Sequence, residues 1–378
     1  MSIPVYDVVI VGAGPAGCAA ALAFHNSGLR IALLDKKTFP RDKTCGDAIP
    51  GPAIKTLQKL LSNTNEDFSH FTYKQQIHTA DIYTVGRRKI SIQWKLEACN
   101  STRLYFDDYL LGLVKKHTDV GVKEGFGIKQ IEKGDNWLLQ SETGEPLSTR
   151  LIIGCDGAHS LVRKTLLSKD APRLQQGVAL RQYFRSVKTP IDCNEFFLFK
   201  EGGGGYFWIF PVGEGIYNTG IGISAQASEK ADLKGLFKDL TVNHPLIAAR
   251  MQDAEPVDEI SGYRLPFGGT EILPVSGEGF MLAGDAAYLV DPLQGHGIHT
   301  AMQSGVLAAE QALRCFSAND FSAPFLQQYD AQVQHRIGKE LKRNDSLLRY
   351  LYRQPWMVEG AAIAAKNKLV QKIIQKVF

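Results

Sequence analysis

What the chain lacks narrows its class before any motif is read. Its 378 residues include six cysteines, and none of these forms a CxxC pair. Cys18, Cys45, Cys99, Cys155, Cys193 and Cys315 are scattered, and Cys18 and Cys155 fall in a predicted helix and strand. Such spacing argues against a disulfide framework or a zinc centre and fits a reducing, cytoplasmic compartment. There is no basic run interleaved with aromatics, and the net charge is only +4, so no nucleic-acid surface is expected. Internal repeats and low-complexity tracts are missing too. The most apolar run, Val8 to Phe24, is interrupted by Gly12, Gly14, Pro15 and Gly17, follows Asp7 and has no basic leader. It therefore reads as neither a signal peptide nor a membrane span. What remains is an ordinary globular balance, 44% hydrophobic and 22% charged, long enough for a large α/β domain and a smaller companion.

The run that fails as a membrane span succeeds as something else. Val5 to Val11 is a β-branched stretch of the kind buried in parallel sheets, and Gly12-Ala13-Gly14-Pro15-Ala16-Gly17 follows it directly. An alanine-rich helix comes next, stopped by Gly28, and a second strand from Arg30 to Leu34 ends in Asp35. This is the strand–GxGxxG–helix–strand–acid pattern of a dinucleotide site. Gly12 makes the tight turn, Gly14 lets the backbone approach a pyrophosphate, and Gly17 allows close helix–strand packing, with Ala13, Pro15 and Ala16 completing the turn. The helix N-terminus faces the phosphates, Asp35 accepts hydrogen bonds from a ribose diol, and Lys36 lies beside it.

Later segments supply further candidates. A polar loop from Lys36 to Gly51 follows a parallel strand, where ligands sit in this fold class, so Cys45 and Gly46 fall where a cofactor ring is expected. Cys45 reads equally as a half-buried thiol without chemistry. Residues from about Gln75 to Cys99 and from about Val178 to Ser224 alternate as antiparallel strands do, whereas Arg103 lies in a predicted helix. Asp156-Gly157 ends a strand, as a turn or as a ligand for sugar or phosphate. At period two, Tyr206, Trp208 and Phe210 share one face and Phe207 and Ile209 the other, one suited to core and one to a cavity wall. Gly284-Asp285 ends another strand, and Asp285 suits a ribityl hydroxyl. Beyond Pro292, Gly295 and Gly297 let backbone amides approach a ring, with Ile298 opening the helix behind them. His296 and His299 lack a third metal ligand, so no metal is expected; His296 is a candidate to face substrate.

Taken in order, GAGPAG with Asp35, Cys155-Asp156-Gly157 and GDAAYLVDPLQGHGI resemble the flavoproteins that include aromatic hydroxylases, flavin-dependent halogenases and geranylgeranyl reductases. Within that group, CGDAIPG at Cys45–Gly51 and YFWIFP at Tyr206–Pro211 are most similar to the geranylgeranyl reductase family. The resemblance implies FAD, with Arg103 near it and NAD(P)H as a transient donor. It also implies an FAD-dependent reductase that saturates carbon–carbon double bonds of an isoprenoid or similar lipid. Cys45 is the candidate proton donor, since a free thiol with pKa about 8.5 is protonated at neutral pH. Tyr206, Trp208 and Phe210 would line the substrate tunnel. The alternative is an FAD monooxygenase or halogenase acting on an aromatic or polyketide substrate, although YFWIFP matches the halogenase WxWxIP imperfectly. A flavin-carrying binding or redox-sensing protein is a third reading.

The expected architecture is α/β. A Rossmann-like FAD domain takes 1–75, 100–180 and 260–318, an inserted antiparallel β substrate domain takes 76–99 and 181–259, and helices occupy 319–378. Near the end, Ile363, Val370, Ile373, Ile374 and Val377 recur at helical spacing beside Lys368, Lys372 and Lys376. That pattern suits a helix docked on the protein or lying on an anionic membrane surface.

Overall fold

The computed structural model describes residues 3–167, 176–224, 232–269 and 273–365. Two sheets organise it. The first runs, in spatial order, through Ser276–Gly277, Phe280–Leu282, Pro146–Gly154, Val5–Val11, Ile31–Leu34 and Gly121–Lys123. Its inner strands are parallel, and Val5–Val11 pairs with Ile31–Leu34 on one side and Pro146–Gly154 on the other. Val8, Val9, Ile10, Leu33 and Leu34 are wholly buried. That explains the unbroken apolar runs, since a parallel strand covered on both faces has no solvent side to mark. A hairpin of Ile128–Lys133 and Trp137–Ser141 extends this sheet through Pro146–Gly154.

Small residues set how close the covering helices come. A Cβ at Gly17 would lie 1.9 Å from the Gly12 carbonyl oxygen, so the helix Pro15–Ala23 packs on its strand only with glycine there. The long helix Ile298–Ala318 packs on the same helix, where a Cβ at Gly305 would meet the Ala16 carbonyl oxygen at 2.1 Å.

The second sheet is mainly antiparallel, ordered Glu255–Pro256, Gln176–Arg185, Ile216–Ser224, Gly205–Gly213, Cys193–Phe199, Gln75–Tyr83, Lys89–Asn100 and Ala48–Ile49. Only Cys193–Phe199 and Gln75–Tyr83 run parallel within it. Ser261–Pro266 also pairs with Gln176–Arg185. The second sheet therefore takes residues 176–180 and 261–266, which the expected domain bounds gave to the FAD domain. Both segments are short flanks of a long strand pairing, so their polarity pattern carries little signal. Phe207, Ile209, Phe197, Ile221 and Phe237 form this sheet's own core with the helices Leu233–Asn243 and Pro245–Met251.

Helices Lys339–Arg353 and Pro355–Ala364 end the described chain. Ala362 and Ala365 pack with Ile82, Ile90 and Ile92, while Glu359 accepts from the Gly86 amide at 2.6 Å and pairs with Arg88 at 2.7 Å. Val370, Ile373, Ile374, Val377, Lys368, Lys372 and Lys376 lie outside the described residues. No helix among the described residues is long and apolar enough to cross a membrane.

Phe207 is fully buried against Phe197 and Phe237. Phe207→Ala is expected to lower unfolding free energy by about 3–5 kcal/mol, as large core truncations do. Urea titration checks this; a loss near zero would place Phe207 outside the core.

Candidate active site between the two sheets

The two sheets enclose a cavity of about 2020 Å³. Drug-sized ligands occupy roughly 300–1,000 Å³, so there is room for more than one molecule. One end is the glycine turn. Gly12 has φ +105°, and a Cβ there would lie 2.3 Å from the Cys155 carbonyl oxygen. At Gly14 the same atom would meet nothing nearer than Arg41 at 3.8 Å, which leaves the backbone open to a ligand. Gly14 precedes the first helical residue, so the free amides of that helix face this opening. Asp35 accepts from the Ala13 amide at 2.9 Å and the Lys37 amide at 2.9 Å, and it still borders the cavity beside Lys36.

Charged side chains at this end are paired. Arg103 grips Asp107 with two hydrogen bonds of 2.7 Å, and Arg41 adds a third at 2.7 Å. Burial alone would raise the Asp107 carboxyl, but the two guanidinium groups hold it below the ordinary range. Lys43 meets Asp285 at 3.1 Å and lies over the Tyr263 ring, whose hydroxyl donates to Asp285 at 3.2 Å. Burial opposes the Asp285 charge, yet Lys43 wins and the carboxyl is lowered. Asp156 caps the helix Leu161–Leu166 by accepting from the Leu161 and Val162 amides at 2.7 and 3.2 Å. Burial raises its carboxyl despite those bonds.

The loop after Pro292 forms the facing wall. Asp291 accepts from the amides of Leu293 and Gln294 at 2.8 Å, which folds the loop and presents Gly295, His296, Gly297 and Ile298 to the cavity. Gly295 has φ +71°, and a Cβ there would stand 2.3 Å from the Tyr206 hydroxyl. Burial, with His296 nearby, lowers His299 to about 4, so this imidazole is neutral at physiological pH. No His, Cys, Asp and Glu cluster among the described residues suits a metal.

Of the sequence candidates, Gly12, Gly14, Pro15, Ala16, Asp35, Lys36, Cys45, Gly46, Arg103, Asp156, Gly157, Gly284, Asp285, Gly295, His296, Gly297 and Ile298 all border one cavity. Tyr206, Trp208 and Phe210 border it too, while Phe207 and Ile209 turn into the core. Ala13, Gly17 and Pro292 do not reach the wall. Ala13 spends its amide on Asp35 and Gly17 faces Gly12, so these positions shape the turn from behind. Four polar residues escaped notice: Arg41, Lys43, Asp47 and Asn218. Asp47 stood within CGDAIPG, but nothing in one sequence marks which polar residue of a loop will be buried.

Asn218 ties the second sheet to the Cys45 loop. It accepts from the Trp208 indole at 2.8 Å and donates to the Cys45 carbonyl at 2.7 Å and to the Asp47 carboxyl at 2.8 Å. Cys45 itself is half-buried, and its sulfur interacts with the Arg103 guanidinium. Beyond this clasp the wall turns apolar through Ile92, Phe196, Leu198, Leu351, Trp356 and Met357.

A helix N-terminus with an open glycine, an acid at the second strand's end, fixed arginines and a cavity at the sheet's carboxyl edge fit a flavin dinucleotide. This fold and site define an FAD-dependent oxidoreductase. The chain belongs to the FAD binding domain family, whose sequence profile matches residues 5–343. Digeranylgeranylglycerophospholipid reductase 2 of Methanopyrus kandleri is 29% identical over 354 residues, 89% of this chain and 84% of that protein. A menaquinone reductase of Mycolicibacterium smegmatis is 31% identical over 326 residues, 80% of this chain and 75% of the relative. Among solved structures, a geranylgeranyl bacteriochlorophyll reductase-like protein from Thermoplasma acidophilum is similar over 100% of both chains, with TM-score 0.77 and 24% identity. A flavin-dependent brominase has the same fold, at TM-score 0.80 and 20% identity over 99% of this chain and 93% of its own. The expected resemblance to geranylgeranyl reductases is thus met by a relative matched over 89% of this chain, and the halogenase likeness is one of fold.

The purified protein is expected to be yellow and to release FAD on heating or acid treatment, identified by chromatography. A colourless protein, or one that yields only a nicotinamide dinucleotide, would overturn the cofactor assignment.

Proposed function

We propose that this protein is a reductase that saturates carbon–carbon double bonds in an isoprenoid or related lipid, with NAD(P)H as a transient electron donor. The observation that carries the reading is the apolar half of the cavity, which extends from Cys45 and Trp208 to the C-terminal helices. An extended prenyl chain suits such a wall; a compact aromatic substrate leaves most of it unused. The relatives named as prenyl-lipid and menaquinone reductases support the same chemistry.

Bound and reduced, FAD supplies a hydride for one alkene carbon. This chain's residues do the rest. Trp208, anchored by Asn218, and Phe210 hold the chain and exclude water, because an isolated alkene is a poor hydride acceptor. Cys45 gives a proton to the second carbon, and Arg103 stands beside the thiolate that remains. Trp356 and Ile363 are exposed on the last described helix, whose inner side borders the cavity. We assign this end of the protein to a peripheral membrane contact through which lipid enters.

Anaerobic incubation of the dithionite-reduced protein with prenyl lipids, read by mass spectrometry, tests the reading. Addition of two hydrogens per double bond is expected; product formation only with oxygen would favour a monooxygenase or halogenase. Cys45→Ser is expected to retain FAD and slow alkene reduction by about 10²–10⁴-fold, the usual contribution of a general acid. Parental turnover would make Cys45 a packing residue. Trp208→Ala is expected to raise KM for long-chain substrates most, and an equal effect on short ones would remove Trp208 from the tunnel. Full chain is expected to co-sediment with anionic liposomes more than a chain ending at Gln354, which lacks Trp356, Ile363 and everything after them; equal binding would remove the membrane role.

A further inference from the structure

Asp47, two residues after Cys45 in the same loop, is wholly buried, in a left-handed backbone conformation with φ +65°. Its Oδ2 accepts from the Tyr183 hydroxyl at 2.6 Å and from Asn218 at 2.8 Å. Its Oδ1 is buried with no hydrogen-bond partner. An ionised carboxylate leaves that oxygen uncompensated, whereas a carboxylic acid places its proton there, on the side where no donor competes. The groups that act on the Asp47 carboxyl are Tyr183 and Arg181 from one strand, Asn218 from the next and Arg103 from the helix Arg103–His117, and Arg103 also interacts with the Cys45 sulfur. Arg181 also pairs with Asp42 and Asp258, so its charge is already matched by two carboxylates. Burial pushes the Asp47 carboxyl up to about 7, against the pull of Tyr183, Asn218, Arg181 and Arg103. Burial and Asp47 itself push the Tyr183 hydroxyl far above its ordinary value, so Tyr183 stays a neutral donor.

We infer that Asp47 is the proton reservoir of the cavity, a positioning residue that reloads Cys45 after each alkene has been reduced. The inference rests on the reductase reading. In each cycle the alkene gains a hydride on one carbon and the Cys45 proton on the other, leaving a thiolate. The Asp47 acid passes its proton to that sulfur and becomes a carboxylate, and one proton taken up from solvent once the product has left restores the acid. The electron pair of the old double bond ends in the new C–H bond formed with the Cys45 proton, so no further reductant is needed.

Asp47→Asn keeps the shape of the neutral acid and tolerates the left-handed backbone, but it has no proton to give. It is expected to fold and to keep the flavin absorbance spectrum, with steady-state alkene reduction slowed by about 10²-fold, the lower end for a lost acid. The parent's rate is expected to fall as pH rises through about 7, an inflection missing from the variant. A second readout needs no substrate. Native Asp47 keeps its proton up to about 7 and the unfolded chain loses it near 3.8, so parent stability falls as pH rises across that window. The melting temperature of Asp47→Asn is therefore expected to gain on the parent over that range, and parallel curves overturn the inference. Should Asp47→Asn not fold, Tyr183→Phe removes one donor to the carboxylate and is expected to move the parent's inflection to higher pH; an unmoved inflection overturns the inference. A parent protein that reduces no prenyl alkene fails the reductase reading and this role together. Parental turnover with an indistinguishable Asp47→Asn enzyme overturns this role alone.

Discussion

The buried amide of Asn218 is the interaction on which the site depends. One side chain closes hydrogen bonds with an indole, a backbone carbonyl and a carboxyl from separate parts of the chain. Without it, the Trp208 N–H and the Cys45 carbonyl would lose their partners in a buried setting, at about 1–3 kcal/mol for each orphaned group. The clasp also fixes orientation. Trp208 is held at the cavity wall by its indole N–H, and the Cys45 loop is pinned to the second sheet. Cys45, Gly46 and Asp47 therefore belong structurally to the second sheet although they follow the first in sequence.

Around that clasp the cavity divides by polarity. The end near the glycine turn holds Arg103, Asp107, Arg41, Lys43 and Asp285, all paired, the first two buried and the other three partly so. Burying ions is costly, and only close, multiply bonded pairs offset the loss of water. The Arg103–Asp107 contact meets that requirement with two bonds, and it leaves Arg103 aimed at the cavity without conformational freedom to lose. The other end is aliphatic and aromatic and is closed by the C-terminal helices. A charged, rigid end suits a phosphate-bearing cofactor and an apolar end suits a lipid, so one cavity joins two walls of opposite character.

Stability and function pull apart at Asp47. Its carboxyl is poorly solvated and incompletely hydrogen-bonded, which opposes folding wherever it is ionised. Packing around it is otherwise complete: Tyr183, Asn218 and the Ser101 amide, which donates to the Asp47 carbonyl, hold it from several directions. A group kept in such a setting by so many contacts is a feature of a site rather than an accident of the core.

Local rules made the first forty residues readable. Turn, helix start and strand each need particular residue types within a short window, so Gly12, Gly14, Gly17 and Asp35 announce themselves without any distant contact. The alternation through Tyr206–Phe210 likewise separates two faces, because side chains of a strand must point to opposite sides. Sequence also marked Cys45, Asp285 and the loop before Ile298, and the family resemblance marked Arg103, as candidates, and all of them border the cavity. It had no means of finding Asn218 or Asp47. Polar residues in a strand or loop look alike until the fold decides which are buried and what they meet. Asn218 lies 173 positions from Cys45 and 171 from Asp47, and its hydrogen bonds exist only once the two sheets close on each other. The residue types and their local spacing determined the cofactor fold; the pairing of buried charges, the clasp and the carboxyl with its shifted proton were decided by tertiary packing, because burial and hydrogen-bond geometry are properties of the closed cavity.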